Sequence, residues 1–148
     1  MTSRLLRWLA GLSLLALTAC TGSGLVLGGS ANCTSSIELI TQVSGACTRT
    51  LETLEAEDGE SIAIQTSDPA PFATVEFELS VEAGQAAIIF TDVHGDKITT
   101  EATPGSPATG SVRVQLDPLS RINFKIAPVD GTAEGVEYKL SFVCDCMP

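Results

Sequence analysis

The residues of this sequence with the most distinctive chemistry are its five cysteines. Four of them, Cys33, Cys47, Cys144 and Cys146, are spaced as C-x13-C and C-x-C. Four thiolates can bind zinc, but structural zinc sites usually contain C-x2-C pairs, which this spacing lacks. An even set of cysteines in an exported protein is typical of disulfides. We therefore predict two disulfides and no bound metal, with a four-thiolate zinc site as the less favoured alternative.

The fifth cysteine, Cys20, closes an apolar N-terminal segment. Arg4 and Arg7 are followed by twelve uncharged residues, 8–19, which is typical of a secretory signal and too short to span a ~30 Å hydrocarbon core. The junction Leu17-Thr18-Ala19-Cys20 resembles the lipobox of bacterial lipoproteins. That resemblance implies that the chain is cut before Cys20 and that Cys20 is acylated. An ordinary secretory signal with a chance cysteine is the alternative.

These features divide the chain into three parts. Residues 1–19 are predicted to be a lipoprotein signal peptide, 20–32 the lipidated cysteine with a flexible glycine- and serine-rich tether, and 33–148 one folded domain. Cutting the 148-residue chain before Cys20 leaves 129 residues, enough for a single domain with its own core. A less favoured alternative is that residues 25–27 begin an extra strand.

The charge balance excludes one class of partner. Without Arg4 and Arg7, 6 basic residues face 18 acidic ones, which gives a formal charge of −12. Such a surface repels phosphate backbones, so we expect no nucleic-acid partner. It also disfavours adsorption to anionic lipids, so membrane attachment depends on the covalent lipid.

Beyond the tether, apolar residues alternate with polar ones at the period of β-strands. In the clearest case, 73–82, one face carries Val75, Phe77 and Leu79 and the other carries glutamates and a threonine. We predict strands at 36–43, 61–66, 73–82, 86–91, 97–101, 111–116, 121–127 and 136–145, and an extended segment at 48–60 that runs into an acidic turn at 57–59. Short strands with frequent turn signals and no helix predict an all-β fold, a single antiparallel β-sandwich of about eight strands.

The second half of the chain carries a family resemblance. The segments "FELSVEAGQAAIIFTDVHGDKI" and "RINFKIAPVDGTAEGVEYKLSF" each contain two strands joined by a glycine-containing turn or polar loop. In this pattern the chain resembles the pre-peptidase C-terminal family of secreted bacterial proteins. The resemblance implies a jelly-roll β-sandwich and a non-catalytic accessory module, in some cases linked to carbohydrate or protein binding. No peptidase domain accompanies it in this chain.

Catalytic chemistry has little support in the sequence. His94 is the single histidine and lies in a predicted hairpin tip, and no G-x-S-x-G elbow is present to supply a nucleophile. The acids at 52–60 (Glu52, Glu55, Glu57, Asp58 and Glu60), together with Asp92 and Asp96, could contribute oxygens to calcium, but a charge run is more often a solvated face. Glu76 and Glu78 share one strand face and are the best carboxylate pair for glycoside chemistry. We expect none of these groups to form a catalytic or cofactor site.

Two functions of different class remain. We expect a lipid-anchored, non-catalytic protein of the cell envelope, in the outer membrane of a diderm host, that is structural or binds an envelope protein. The alternative is a module that binds a small ligand, a carbohydrate or calcium. The domain has no tryptophan after removal of Trp8 and one tyrosine, Tyr138, and both residue types are favoured in sugar platforms and binding hot spots. A groove with clustered acids or aromatic rings would favour the alternative.

The spacing of the last two cysteines also predicts how the disulfides pair. If the closing strand continues through Cys146, then Cys144 and Cys146 point to one face and are poorly placed to bridge each other. Each is then expected to reach back to Cys33 or Cys47, which leaves two connectivities. The nested pairing of Cys33 with Cys146 and Cys47 with Cys144 is modestly favoured.

Overall fold

The computed structural model describes residues 27–28, 31–38, 42–64, 66, 71–144 and 146. The strands formed within these ranges are β1 (Leu27–Gly28), β2 (Asn32–Glu38), β3 (Gln42–Leu54), β4 (Asp58–Ala63), β5 (Phe72–Ser80), β6 (Ala86–Thr91), β7 (Lys97–Ala102), β8 (Ala108–Gln115), β9 (Arg121–Pro128) and β10 (Ala133–Cys144). Across the same ranges, we find no helix with the length and apolar character needed to span a membrane.

The strands pair as nested antiparallel partners in two sheets. β3 pairs with β10, β4 with β9, β5 with β8 and β6 with β7, as if one long hairpin were wrapped into two layers. Sheet I has the order β1-β4-β9-β6-β7, and sheet II has the order β2-β3-β10-β5-β8. This is the jelly-roll form of an antiparallel β-sandwich. The predicted fold class is confirmed, and β1 and β2 add one strand to an edge of each sheet.

Alternating side chains build the core between the sheets. On β5, Val75 and Leu79 are fully buried, while Glu76 and Glu78 between and beside them are exposed. Four rings then cross the core in a row, with neighbouring centroids 5.2 to 5.4 Å apart: Phe77 of β5, Phe90 of β6, Phe124 of β9 and Tyr138 of β10. Because the two middle rings belong to sheet I and the two outer rings to sheet II, the row packs the two layers against each other.

The first third of the domain differs from its predicted strands. One strand was predicted at 36–43, but this range contains the end of β2 and the start of β3, which pair with each other as a hairpin. The segment 48–60 also contains more regular structure than predicted. Pairing with β10 extends β3 to Leu54, and the predicted acidic turn at 57–59 includes the start of β4, because Asp58 and Gly59 pair with β9. Partner strands distant in the sequence override the local turn signal here.

The predicted tether range of 20–32 overlaps two strands of the structure. Leu27 and Gly28 pair with Ala63 and Ile62, and Asn32 begins β2. The less favoured alternative, an extra strand, therefore holds at Leu27. The predicted signal peptide at 1–19 and the lipidation site Cys20 lie outside the described residues.

The predicted disulfide connectivity is wrong. The bonds join Cys33 to Cys47 and Cys144 to Cys146. Cys33 and Cys47 are directly opposite each other in the β2–β3 hairpin, with Cα atoms 4.1 Å apart. Cys47 lies opposite Leu140, which is ~13 Å along the strand from Cys144 and beyond disulfide reach.

The argument for the nested pairing assumed that the last strand continues through Cys146. In fact β10 ends at Cys144, and Cys146 follows in a bend. The two-residue period of a strand therefore no longer fixes the direction of the Cys146 side chain. The two disulfides themselves were predicted, and such bonds are the mark of a protein outside the reducing cytoplasm.

The chain enters the sandwich at one of its two ends. Leu27 pairs with Ala63 at the close of β4, and Ala63 pairs with Arg121 at the start of β9. The turns at 92–96 and 116–120 lie at this end as well, because they follow β6 and precede β9. We call it the tether end. The opposite end, which we call the far end, holds the turns at 55–57, 81–85, 103–107 and 129–132.

Candidate functional site

A concavity lies on the outer face of sheet I. This groove, of ≈ 600 Å³, is lined by Glu57, Gly59, Glu60, Ser61, Ile89, Thr91, Lys97, Thr99, Asn123, Phe124 and Lys125. One row of register partners, Gly59, Lys125, Ile89 and Thr99, crosses all four main strands of the sheet. Gly59 supplies the depression, because a Cβ added there would meet no atom within 4 Å.

Most of the residues that line the groove are polar, and Ile89 is an apolar residue among them. Ile89 is half-buried and is flanked by Thr91 and Thr99, while Asn123 provides an amide. The Lys125 Nζ lies 2.5 Å from the Glu57 Oε1, and both side chains are about half exposed. Within the described residues, Lys97 has no carboxylate within ion-pair distance. The groove can therefore accept hydrogen-bonding groups and offers them the ammonium of Lys97, which has no carboxylate partner among the described residues.

The groove presents no exposed aromatic ring among the residues that line it. Phe124 borders it, but its ring is 3% exposed and packs in the core between Phe90 and Tyr138. Sugar-binding surfaces typically present such rings to solvent. The groove therefore has neither the clustered acids nor the aromatic platform that would favour a small-ligand module.

The acidic residues at 52–60 do not share one face of the chain. Glu52, Glu55 and Glu57 are exposed, whereas Glu60 is 7% exposed and faces the core. Strand alternation causes this division, since Asp58 and Glu60 share the inward face of β4 with Ile62. Among the described residues, no group of three or more His, Cys, Asp and Glu side chains converges as metal ligands would.

Both inward acids bind Arg49, a residue that the sequence analysis did not single out. The Arg49 Nη1 is in contact with the Glu60 Oε1 and lies 3.2 Å from the Asp58 Oδ2. Arg49 projects inward because it alternates with the buried Cys47 and half-buried Leu51 on β3. Those apolar neighbours at two-residue spacing are the sequence signal that could have identified it.

Tyr138 lies next to this buried charge. Its side chain is fully buried, and its hydroxyl has no hydrogen-bond partner within the described parts of the chain. Burial raises the pKa of Tyr138 to about 12, while the positive charge of Arg49 acts in the opposite direction. A protonated hydroxyl at the end of the aromatic row is therefore a core feature and is not placed for chemistry.

Asp92, His94 and Asp96 build a turn at the tether end. The backbone N–H groups of His94 and Asp96 donate to the Asp92 Oδ1 over 2.8 and 2.9 Å. These hydrogen bonds, that from Asp96 first, lower the pKa of Asp92. The Asp92 carboxylate thus stabilises the turn. Its Oδ1, which the sequence offered as a calcium ligand, instead accepts these backbone hydrogen bonds.

Glu76 and Glu78 lie on the outer face of sheet II, as predicted. They share a shallow depression of ≈ 400 Å³ with Lys139 and Ser141 of β10. The Ser141 hydroxyl donates to the Glu76 Oε2 over 3.5 Å, and the Lys139 Nζ lies 3.9 Å from Glu78 and 3.6 Å from Glu137. One lysine shared between two acids is typical of a solvated sheet face.

Asp117 organises the other turn of the tether end. Its Oδ1 accepts the backbone N–H groups of Leu119 and Arg121, and its Oδ2 accepts Arg121 Nε and Asn123 Nδ2. The hydrogen bond from the Arg121 side chain is the main reason that the pKa of Asp117 lies far below its usual value. Five polar contacts, counting the Arg121 Nη2 at 2.8 Å, fix this turn in one shape.

Comparison with known proteins identifies no family for this chain. No protein-family model matches it, and no curated protein matches its sequence. Solved structures similar to it include a chain of the disulfide-linked pili of Bacillus endospore appendages, at 16% identity and a TM-score of 0.44, covering 73% of this chain and 94% of that chain.

Two further structures are similar at the same level. The capsular polysaccharide assembling protein CapF from Staphylococcus aureus is 12% identical, with a TM-score of 0.38 over 80% of this chain and 30% of that one. A family 29 carbohydrate-binding module is 15% identical, with a TM-score of 0.38 over 84% of this chain and 83% of that one. Each is a likeness of fold at low identity.

Proposed function

We propose that this protein is a lipid-anchored, non-catalytic β-sandwich of the cell envelope that is structural or binds another envelope protein. The observation that carries the proposal is a juxtaposition along the chain. An apolar segment ends at Leu17-Thr18-Ala19-Cys20, and the first strand of a disulfide-bonded sandwich begins at Leu27. A lipidated cysteine followed at once by an oxidised domain suits an exported protein held at a membrane surface.

The state of the polar side chains supports the non-catalytic part of the proposal. Asp92 and Asp117 are occupied by backbone donors, and Glu60 is buried against Arg49. A general acid or base needs a proton that it can exchange with a bound substrate. Carboxylates that serve as turn acceptors or as buried ion-pair partners do not offer one.

The groove on sheet I supports a macromolecular partner more than a small one. It is open and mixed in charge, with the half-buried Ile89 among polar residues. Apolar residues within a polar rim are the common arrangement of protein interfaces. In a diderm host we propose an outer-membrane address, because Thr21 follows the cysteine where an aspartate would resemble an inner-membrane retention signal.

The lipid anchor is tested by replacing Cys20. We expect Cys20→Ser to remain a full-length precursor without fatty acid, while Thr21→Ser, which leaves the junction intact, is processed like the wild type. Mass spectrometry of the N-terminal peptide and detergent partitioning measure both variants. Normal cleavage and membrane attachment of Cys20→Ser would contradict the proposal.

The choice between the two functions is tested on the groove. We expect no micromolar binding of calcium by calorimetry and none of common polysaccharides by affinity electrophoresis. We also expect a photo-crosslinking residue at Thr99 to yield one recurrent protein adduct in intact envelopes, and the same residue at Thr109, on the outer face of sheet II, to lack it. Sugar binding that Asn123→Ala and Lys97→Ala remove would favour the alternative function.

A further inference from the structure

The distance between the lipidated residue and the first strand is short. Only residues 21–26 separate Cys20 from Leu27. Even fully extended, this stretch spans at most about 25 Å. Because Leu27 is paired to Ala63 at the tether end, that end of the sandwich is held close to the bilayer.

The far end cannot make the same approach with ease. β9 runs from Arg121 at the tether end to Pro128 at the far end, a distance of about 23 Å along the strand. Contact of the far end with lipid would require the tether to be extended to its limit along the side of the domain. The tether length therefore favours a membrane-facing tether end.

This end presents an exposed leucine on a rigid turn. Leu119 is 68% exposed, the largest exposed fraction among the large hydrophobic residues described. Its backbone N–H donates to Asp117, and the Ser120 N–H donates to the Asp117 carbonyl oxygen over 2.8 Å. The turn is also bonded to the end of β4, the strand that pairs with β1. The N–H of Ile64, the residue that follows β4, donates to the Ser120 carbonyl oxygen over 2.8 Å.

Two other exposed apolar residues lie toward the same end. Ile98, 38% exposed, is the second residue of β7, and Val143, 41% exposed, is the next-to-last residue of β10. Val129, also an exposed hydrophobic residue, follows β9 at the far end. Within the Leu119 turn the acid is neutralised, since Asp117 is paired with Arg121, while the neighbouring turn at this end carries Asp92 and Asp96. A charge-compensated apolar tip can enter a lipid interface at lower cost than a bare carboxylate.

We propose that the tether end of the sandwich rests on the lipid surface, with Leu119 inserted at the boundary of headgroups and acyl chains. The inference rests on the proposed lipidation of Cys20 and adds the orientation of the domain. The far end then faces away from the bilayer, and the groove on the outer face of sheet I lies at the side of the domain, where a protein partner can reach it.

The experiment uses tryptophan as a depth probe. The domain contains no tryptophan, because the single Trp8 belongs to the signal segment. In a Trp8→Phe background, Leu119→Trp and the far-end control Val129→Trp are purified as lipidated protein and inserted into vesicles of brominated phosphatidylcholine. We expect the emission of Leu119→Trp to shift to the blue and to be quenched, and that of Val129→Trp to be unchanged.

A second pair of variants controls for the preference of an introduced tryptophan for the lipid interface. Ile98→Trp keeps Leu119 in place and serves as a nearby reporter, and we expect partial quenching. Adding Leu119→Asp to Ile98→Trp should remove that quenching. Unchanged quenching in this double variant would contradict insertion of Leu119.

Flotation of the same vesicles separates the two proposals. Protein that fails to float with lipid would contradict the anchor at Cys20. Protein that floats, but in which Leu119→Trp is not quenched or Val129→Trp is quenched more strongly, would overturn the orientation and leave the anchor standing.

Discussion

Arg49 on β3 and Glu60 on β4 form an ion pair inside the sandwich, across the boundary between its two sheets. Glu60 is almost fully buried, and the Arg49 side chain retains 19% exposure. Buried pairs of this kind add little stability compared with apolar residues, but the loss of one partner leaves an uncompensated charge. The pair therefore behaves as a unit.

We expect Glu60→Leu alone to lower the free energy of unfolding by about 3 kcal/mol, the low end for a broken buried pair, because Asp58 still neutralises Arg49. The double variant Glu60→Leu with Arg49→Met should recover most of that loss. Urea unfolding midpoints measure both. Glu57→Gln, which breaks the exposed pair with Lys125, serves as a control and should cost less than about 1 kcal/mol. A double variant as unstable as the single one would refute this account.

Tyr138 should titrate at unusually high pH. It is the only tyrosine in the sequence, so the ultraviolet absorbance of tyrosinate reports it alone. Burial raises its pKa in the folded state to about 12, above the ordinary value of 10.0. The contribution of this group to the free energy of unfolding is therefore fully present below pH 10.0 and is lost as the pH rises toward 12. Tyr138→Phe should remove that part of the decline at no cost in stability at neutral pH, because the hydroxyl has no partner in the described structure. Titration near pH 10 in the folded protein would contradict the burial of the ring.

Asp117 should contribute to acid sensitivity in the opposite direction. Its pKa is lowered in the folded state from 3.8, so its stabilising effect is present above that pH and is lost as the pH falls below it. Asp117→Asn should cost about 1 to 2 kcal/mol at neutral pH, as expected for hydrogen bonds to a charged group, and should flatten the stability profile at acid pH. Thermal unfolding between neutral and acid pH measures it. The exposed Asp130→Asn provides the matched control, and an equal effect of both changes would refute the role of the turn.

The two disulfides should differ in their contribution. Cys33–Cys47 closes a loop with a sequence separation of 14, and its removal by Cys33→Ala with Cys47→Ala should cost about 3 kcal/mol in the chain-entropy model. Cys144–Cys146 spans a separation of 2, so Cys144→Ala with Cys146→Ala should cost about half as much. Non-reducing peptide mapping should recover these two bonds. Peptides that join Cys33 to Cys146 would restore the nested connectivity and contradict the structure.

Gly45 and Gly59 should respond in opposite ways to alanine. A Cβ at Gly45 would stand 2.5 Å from the Phe142 Cζ and 2.8 Å from the Thr34 carbonyl oxygen, so Gly45→Ala should destabilise by about 2 kcal/mol through overpacking. Gly59→Ala meets open space and should stabilise by about 0.5 kcal/mol by reducing the freedom of the unfolded chain. Chemical denaturation measures both variants. Equal effects would mean that the Phe142 ring does not pack on β3 as described.

Much of the fold could be predicted from local pattern. The strand at 86–91 coincides with β6, and the alternation around Val75 and Leu79 gave the correct inward face of β5. The two-residue period of a strand is a property of its own backbone, so a sequence reports it wherever one face is buried. The even number of cysteines beyond Cys20 likewise predicted disulfides without knowledge of neighbours.

The candidate site depended on contacts that local pattern does not specify. Glu57, Asp58 and Glu60 look alike in the sequence, yet the first binds Lys125 at the surface and the last is buried against Arg49. Their difference arises because β4 begins at Asp58, and that start is fixed by its pairing with β9, more than sixty residues later.

The sequence by itself determined the class of the fold, the presence of disulfides and the acidic character of the domain, because each follows from residue type and short-range spacing. The tertiary structure decided which cysteines are partners, which acids face the core, and that Leu119 lies at the end where the chain enters. Those outcomes depend on which strands become neighbours and in what register, and that choice is made by closure of the whole sandwich through pairs such as β3 with β10.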